Sequence, residues 1–92
     1  MAKEIWKFPV KVKDVQGVEM PEGAEILTVQ LQHGQGCIWA VVDPGAEKVW
    51  RYFTTYGTGH PIINGADTYI GTYQESSGYL VWHVFEIIKP LK

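Results

Sequence analysis

The sequence has few of the residues on which nucleic-acid binding depends. Of its 92 residues, eight are Lys or Arg and ten are Asp or Glu, which gives a formal net charge of −2 at pH 7. Arg51 is the single arginine. Because non-specific binding to DNA or RNA comes mostly from Lys and Arg side chains that neutralise phosphates, we expect no nucleic acid polymer as a partner.

Cysteine and long apolar runs are also scarce. The single cysteine, Cys37, excludes an intramolecular disulfide, and its apolar surroundings at 37–42 predict a buried thiol rather than a nucleophile. No apolar run approaches the roughly 20 residues that span a bilayer, and residues 1–6 lack the apolar core of a signal peptide. We therefore expect a cytoplasmic protein that makes no membrane contact.

Apolar and aromatic residues, by contrast, are plentiful. They include four Trp, five Tyr and three Phe, and the hydrophobic fraction of 46% is typical of a globular protein. The length fits a single β domain over residues 1–92, with a flexible tail near 89–92. A domain of this size buries only about 60 to 65% of the surface of its unfolded chain, so contacts between copies would stabilise it. We expect a homo-oligomer.

Alternation of apolar and polar residues predicts strands along most of the chain. Residues 37–42 are apolar on both sides, which indicates a central strand, and Pro9 predicts an edge strand or a bulge because it has no N–H to donate. We interpret 14–24 as a loop or a poorly paired extension, since Gly17 and Pro21 interrupt it. The six predicted strands are 4–12, 25–32, 37–42, 48–56, 68–73 and 79–88.

These strands and the short turns between them indicate an all-β fold, namely a single-domain antiparallel β-sandwich or small barrel of about six strands. One segment is ambiguous, because Asp43 as N-cap and Pro44 at the first helical position could start a helix within 44–50. Residues 48–56 are nearly all β-branched or aromatic, which favours a strand there. Turn residues also occur at 33–36, at Asn64-Gly65 and at 74–78.

Five motifs follow one another along the chain, namely Ile5-Trp6-Lys7-Phe8-Pro9, Met20-Pro21-Glu22-Gly23-Ala24, Ile38-Trp39-Ala40-Val41-Val42-Asp43-Pro44, Tyr56-Gly57-Thr58-Gly59-His60-Pro61-Ile62 and Val81-Trp82-His83-Val84-Phe85-Glu86. In this order they resemble a family of small uncharacterised proteins found in bacteriophages and in bacterial genomes that carry phage genes. The resemblance implies a stand-alone domain of phage or prophage origin that acts in the host cytoplasm. It implies no activity, and no catalytic residue is carried over.

The glycine loop at 57–62 has residue types that suit an anion. Glycines allow successive N–H groups to point the same way, and Thr58 and His60 add further donors. Arg suits phosphate and aromatic faces stack on bases, so Arg51 and Tyr56 join the predicted site. The predicted ligand-binding residues are Arg51, Tyr56, Gly57, Thr58, Gly59 and His60. The alternative is a structural turn beside aromatics that pack in the core or against another subunit.

Catalysis and metal binding have less support in the sequence. His60, His83, Asp67 and Asp43 match no standard spacing of metal ligands, so we predict no metal and no cofactor. The serines lie in a predicted hairpin tip at 76–77, which argues against a Ser-His-Asp triad. We interpret His83 as a histidine whose hydrogen bonds are satisfied in the core or at an interface.

Three functions therefore remain open. The first is a non-enzymatic, homo-oligomeric domain that binds a small anionic, nucleotide-derived signalling ligand and sequesters it against host defence. The second is a protein-interaction module that inhibits or recruits a host protein or decorates a phage particle, since Trp and Tyr are common at interface hot spots. The third is an enzyme in which Asp67 or His60 serves as general base.

Overall fold

Two antiparallel β-sheets make up the computed structural model, which describes residues 2–63 and 67–88. In this part of the chain the strands are β1 (Glu4–Pro9), β2 (Gln16–Pro21), β3 (Glu25–Gln32), β4 (Gln35–Val42), β5 (Lys48–Gly57), β6 (Asp67–Glu75) and β7 (Leu80–Ile87). The first sheet has the order β1-β4-β3 and the second the order β2-β5-β7-β6. The fold is all-β, as predicted, and has the arrangement of a small β-sandwich.

Most of the predicted strands are confirmed. The predicted strand 25–32 is β3. Residues 37–42, which are apolar on both sides, belong to β4, and β4 is a central strand because it lies between β1 and β3. Pro9 ends β1, which is an edge strand. The Asn64-Gly65 turn and the tail near 89–92 lie outside the described residues.

The interpretation of 14–24 as a loop or poorly paired extension is wrong for β2. Residues Gln16–Pro21 pair with β5 along their whole length. Gly17 makes room for two aromatic rings, because a Cβ there would lie 3.1 Å from Tyr52 and 3.2 Å from Trp50. β2 is an edge strand, where a terminal proline such as Pro21 costs no ladder hydrogen bond.

The turns follow the residue types that the sequence places there. His33 and Gly34 have φ angles of 50° and 77°, the positive pair that a two-residue hairpin between β3 and β4 requires. The helix considered at 44–50 does not form. The Asp43 carbonyl and carboxylate accept the N–H groups of Ala46 and Gly45, both at 3.0 Å, in a single turn, and the strand β5 begins at Lys48. None of the described residues forms a helix long and apolar enough to cross a membrane.

The core lies between the sheets and is closely packed where β3 meets β6. A Cβ at Gly71 of β6 would lie 2.9 Å from the side chain of Val29 in β3, so only glycine permits this approach. Cys37 is 2% exposed, which confirms the predicted buried thiol. The largest fully buried side chains include Phe53, Met20, Ile38, Val29, Val42 and Val84.

Arg51 connects the two sheets at the rim of this core. Its Nε donates to Glu86 Oε2 at 2.6 Å and its Nη2 donates to Glu86 Oε1 at 2.8 Å, a bidentate pair between β5 and β7. Its Nη1 donates to the carbonyl of Ala24, just before β3 in the other sheet. The side chains of Arg51 and Glu86 are only 22% and 14% exposed. A paired, mostly buried guanidinium of this kind stabilises the fold only while both partners are present.

We expect Arg51→Gln to lower the free energy of unfolding by about 2 kcal/mol, because it leaves the Glu86 carboxylate mostly buried without its bidentate partner. Chemical denaturation of Arg51→Gln, Glu86→Gln and the double variant gives the coupling energy, which we expect to exceed about 1 kcal/mol. Arg51→Lys serves as the control that keeps the charge and loses the planar fork. A coupling near zero would show that the pair contributes little to stability.

Candidate functional site

The glycine loop begins a connection that passes across a face of the second sheet. Both β5 and β6 run antiparallel to β7, which lies between them, so β5 and β6 are parallel to each other. β5 ends where Gly57 pairs with Trp82, and β6 starts where Asp67 pairs with Ile87, near the other end of β7. The connection between β5 and β6 therefore has to lead from one end of β7 to the other, and its described part, residues 58–63, is called here the crossover.

The start of the crossover is a tight turn. The N–H of His60 donates to the carbonyl of Gly57 at 3.1 Å, and Gly59 has a φ of 90°, as the third residue of a type II turn requires. The His60 N–H is therefore occupied within the turn. It cannot also bind an anion, so the loop has one backbone donor fewer than its sequence predicts.

Gly57 has a different role from Gly59. A Cβ at Gly57 would lie 2.9 Å from His60 Cε1 and 3.0 Å from His60 Nδ1, so the imidazole packs directly on the glycine backbone. A Cβ at Gly59 would meet nothing within 4 Å. Gly57 is therefore needed for the position of His60, and Gly59 for the backbone conformation.

His83 links the crossover to the sheet through two hydrogen bonds. Its Nε2 lies 2.8 Å from the hydroxyl of Thr58 in the turn, and its Nδ1 lies 2.9 Å from the hydroxyl of Thr72 in β6. The Tyr69 hydroxyl lies 2.6 Å from the same Thr72 oxygen. Both ring nitrogens of His83 have partners, which confirms a histidine with satisfied hydrogen bonds, here half-buried on the outer face of the second sheet.

A β-bulge brings Tyr69 and Thr72 to the same face. Residues three apart point to opposite sides of a regular strand, but the register of β6 shifts between Tyr69 and Gly71. Tyr69 then lies opposite Phe85, and Thr72 opposite His83, on the outer face, while Gly71 faces inward. The bulge therefore lets Gly71 face the core while Tyr69 and Thr72 both lie on the outer face.

These elements enclose a pocket of about 280 Å³ between the crossover and the outer face of the second sheet. Phe85 is its central aromatic ring. The rings of Tyr56 and Tyr69 meet Phe85 edge-on, at centroid distances of 5.7 Å and 5.4 Å. Five of the six predicted ligand-binding residues line the pocket, namely Tyr56, Gly57, Thr58, Gly59 and His60. The other lining residues are Ile62, Tyr69, His83 and Phe85.

The structure does not bring Arg51 to this pocket. Its guanidinium points between the sheets, because Arg51 shares the inner side of β5 with Phe53, and its hydrogen bonds go to Glu86 and Ala24. The residues that line the pocket include no Lys or Arg, and only the imidazoles of His60 and His83 can carry positive charge. The pocket is thus aromatic rather than strongly cationic.

Phe85 and Tyr69 line the pocket although the sequence alone does not single them out. Phe85 follows His83 by two residues and so shares its face, which is a signal that the sequence does contain. Tyr69 lies beside Phe85 only because β6 pairs with β7, and a single sequence does not reveal that strand order.

No metal centre forms within 2–63 and 67–88, where no three His, Cys, Asp or Glu side chains are placed to hold an ion. Asp67 pairs with Ile87, two residues beyond Phe85 along β7. Desolvation by burial raises the pKa of Asp67, and its Oδ2 is buried without a hydrogen-bond partner among the described residues. Ser76 and Ser77 occupy the tip of the hairpin between β6 and β7, as predicted.

The fold and the site define a small all-β domain with an aromatic pocket beneath a crossover. The chain belongs to a family described as a domain of unknown function, DUF7352, whose model matches residues 1–91. No curated protein and no solved structure matches the chain. The geometry of the pocket is therefore the basis for any functional inference.

We expect Tyr56→Phe to leave stability unchanged or to raise the free energy of unfolding by up to about 1 kcal/mol. The hydroxyl of Tyr56 is buried without a hydrogen-bond partner among the described residues, and such a group carries an uncompensated desolvation cost. Tyr69→Phe is the matched control, because it removes a hydroxyl that does have a partner, Thr72. Chemical denaturation compares the two, and a loss above about 1 kcal/mol for Tyr56→Phe would be contrary to this expectation.

Gly59→Ala and Gly57→Ala should separate backbone strain from side-chain displacement. We expect Gly59→Ala to lower the free energy of unfolding by about 1 to 2 kcal/mol, because alanine is strained at a φ of 90°. Gly57→Ala should cost less, since the exposed His60 ring can move away and the remaining contact, 3.3 Å from Trp82 Cζ3, needs a shift of only a few tenths of an ångström. Thermal unfolding measures both changes, and the reverse ranking would refute the roles assigned to the two glycines.

Proposed function

We propose that this protein is a non-enzymatic binding domain whose pocket takes a small anionic ligand of the nucleotide type, held mainly by its base. The observation that supports it most strongly is the arrangement of Phe85 between the edges of Tyr56 and Tyr69, beneath a crossover fastened by His83. A planar base stacks on aromatic side chains with about 1 to 3 kcal/mol per base.

The size of the pocket supports a ligand of this class. Its volume of about 280 Å³ lies just below the range for ligand sites, which begins near about 300 Å³. A nucleobase with its sugar is the largest part of a nucleotide that such a pocket encloses. Tyr69 is 56% exposed and Ile62 is 60% exposed, so both can adjust to the ligand at the mouth of the pocket.

The charge distribution gives the phosphate a secondary role. His60 is the exposed imidazole at the rim, and the side chain of Thr58 is exposed beside it. Because Arg51 is committed to Glu86, a phosphate would be met by hydrogen bonds rather than by a bidentate ion pair. Base recognition then contributes more to affinity than phosphate recognition does.

The resemblance to phage proteins indicates a biological role for this binding. A phage domain that binds a host signalling nucleotide without converting it would lower the free concentration of that nucleotide and weaken a host defence that depends on it. Such sequestration requires tight binding of the nucleotide and enough copies of the protein, and it requires no catalytic residues.

Isothermal titration calorimetry with nucleoside monophosphates of the four bases tests the proposal. We expect at least one of them to bind, and we expect Tyr69→Ala and His60→Ala each to weaken that binding about tenfold or more. Tyr52→Ala is the control, because Tyr52 is an exposed aromatic of the same sheet that does not line the pocket. Absence of binding by all four, at millimolar concentration, would reject the proposal.

A second function is favoured by a separate feature, the aromatic pair Trp50 and Tyr52. Their side chains are 59% and 41% exposed, and both rings lie over Gly17 of β2. Exposed Trp and Tyr often anchor protein interfaces. In this alternative the domain binds a host protein through that pair, and a pull-down would lose its partner with the double variant Trp50→Ala and Tyr52→Ala but keep it with His60→Ala.

Self-association also belongs to the proposal. The outer face of the first sheet exposes Ile5 by 62% and Leu27 by 47%, apolar surface that contacts between copies would bury. Light scattering coupled to size-exclusion chromatography measures the mass in solution, and a monomer at all concentrations would remove this part of the proposal.

A further inference from the structure

A second cavity lies beside the glycine turn. It has a volume of about 200 Å³, and its walls include Tyr79 and Trp82. Gly57, Thr58 and His60 line this cavity and also line the larger pocket at Phe85. The two cavities are therefore adjacent, share the turn 57–60 and each have aromatic walls.

The two aromatic walls of the second cavity differ in burial. The indole N–H of Trp82 donates to Glu75 Oε1 at 2.9 Å, and the ring packs against the core. Tyr79 is 88% exposed and follows the hairpin tip at 76–78. One wall is thus held by its neighbours, and the other presents an exposed ring to a flat group.

The shared turn is open to solvent at Gly59. A Cβ there would meet no atom within 4 Å, although Gly59 itself lines only the pocket at Phe85. The exposed side chains of Thr58 and His60, which line both cavities, offer hydrogen bonds along the turn. A ligand with two flat groups can thus occupy both cavities with a polar link along the turn.

The charge of the two cavities limits what that link can be. No Lys or Arg is among the residues that line either cavity. A terminal phosphate carries about −1.5 to −2 at pH 7, and a polyphosphate carries more, which such walls would leave without ion pairs. A phosphodiester has a single ionisable oxygen and is the phosphate link with the least charge to compensate.

We propose that the two cavities bind the two bases of a phosphodiester-linked dinucleotide, with the phosphodiester lying along the shared turn at Thr58 and His60. This inference rests on the proposed function, because the first base occupies the pocket at Phe85. It adds the second base, the second cavity and the chemical class of the link. Occupying both cavities with one molecule makes the second contact intramolecular, which raises affinity without any new interaction in the first pocket.

Calorimetry with dinucleoside monophosphates, set against the corresponding mononucleotides, tests the inference. For the base that binds best, we expect the dinucleotide to bind at least tenfold more tightly than the mononucleotide. Tyr79→Ala should abolish that advantage and leave mononucleotide affinity unchanged, whereas Tyr79→Phe should keep it. Because Tyr79 is almost fully exposed, neither variant should disturb the fold.

The outcomes distinguish this inference from the proposed function. If mononucleotides bind and dinucleotides bind no more tightly, the two-cavity inference is overturned and the pocket at Phe85 stands. The same holds if Tyr79→Ala leaves the advantage of the dinucleotide intact. If neither class binds, the proposed function fails and the inference fails with it.

Discussion

The position of β7 between β5 and β6 is the constraint on which the rest of the site depends. Antiparallel pairing on both sides of β7 makes β5 and β6 parallel, so their connection must cross the sheet rather than turn back as a hairpin. The described part of the crossover lies over part of the outer face, where its Ile62 lines the pocket together with Tyr56, which is 9% exposed. The glycine loop is the point where this crossover leaves the sheet.

Arg51 shows how a structural role determines the chemistry of a neighbouring site. The guanidinium is fully engaged by Glu86 and by the carbonyl of Ala24, where it connects the sheets. The pocket on the opposite side of β5 therefore has aromatic rings and imidazoles but no guanidinium. Such a pocket recognises flat groups of low charge better than it recognises phosphate, which is why we place the base, and not the phosphate, at Phe85.

Local patterns in the sequence predicted much of the fold and part of the site. Alternation located most of the strands, and the His33-Gly34 and Asp43-Pro44-Gly45 turns follow from residues with defined backbone preferences. The sequence did not predict β2, because a glycine such as Gly17 is typical of a break between strands. In the structure Gly17 lies within β2 and makes room for Trp50 and Tyr52. The glycine loop and Tyr56, which the sequence placed in one candidate site, line the same pocket. Strand order and the bulge before Gly71 are non-local, so Tyr69 and Phe85 could not be joined to that loop.

The most direct test of the central claim is a map of backbone amide chemical-shift changes in ¹⁵N-labelled protein titrated with a nucleoside monophosphate. We expect the largest changes at Thr58 to His60, at Tyr69 and at His83 to Phe85, the segments that surround the pocket. Changes confined to Gly17, Trp50 and Tyr52, or none at saturating ligand, would contradict the claim that the crossover covers a nucleotide-binding pocket.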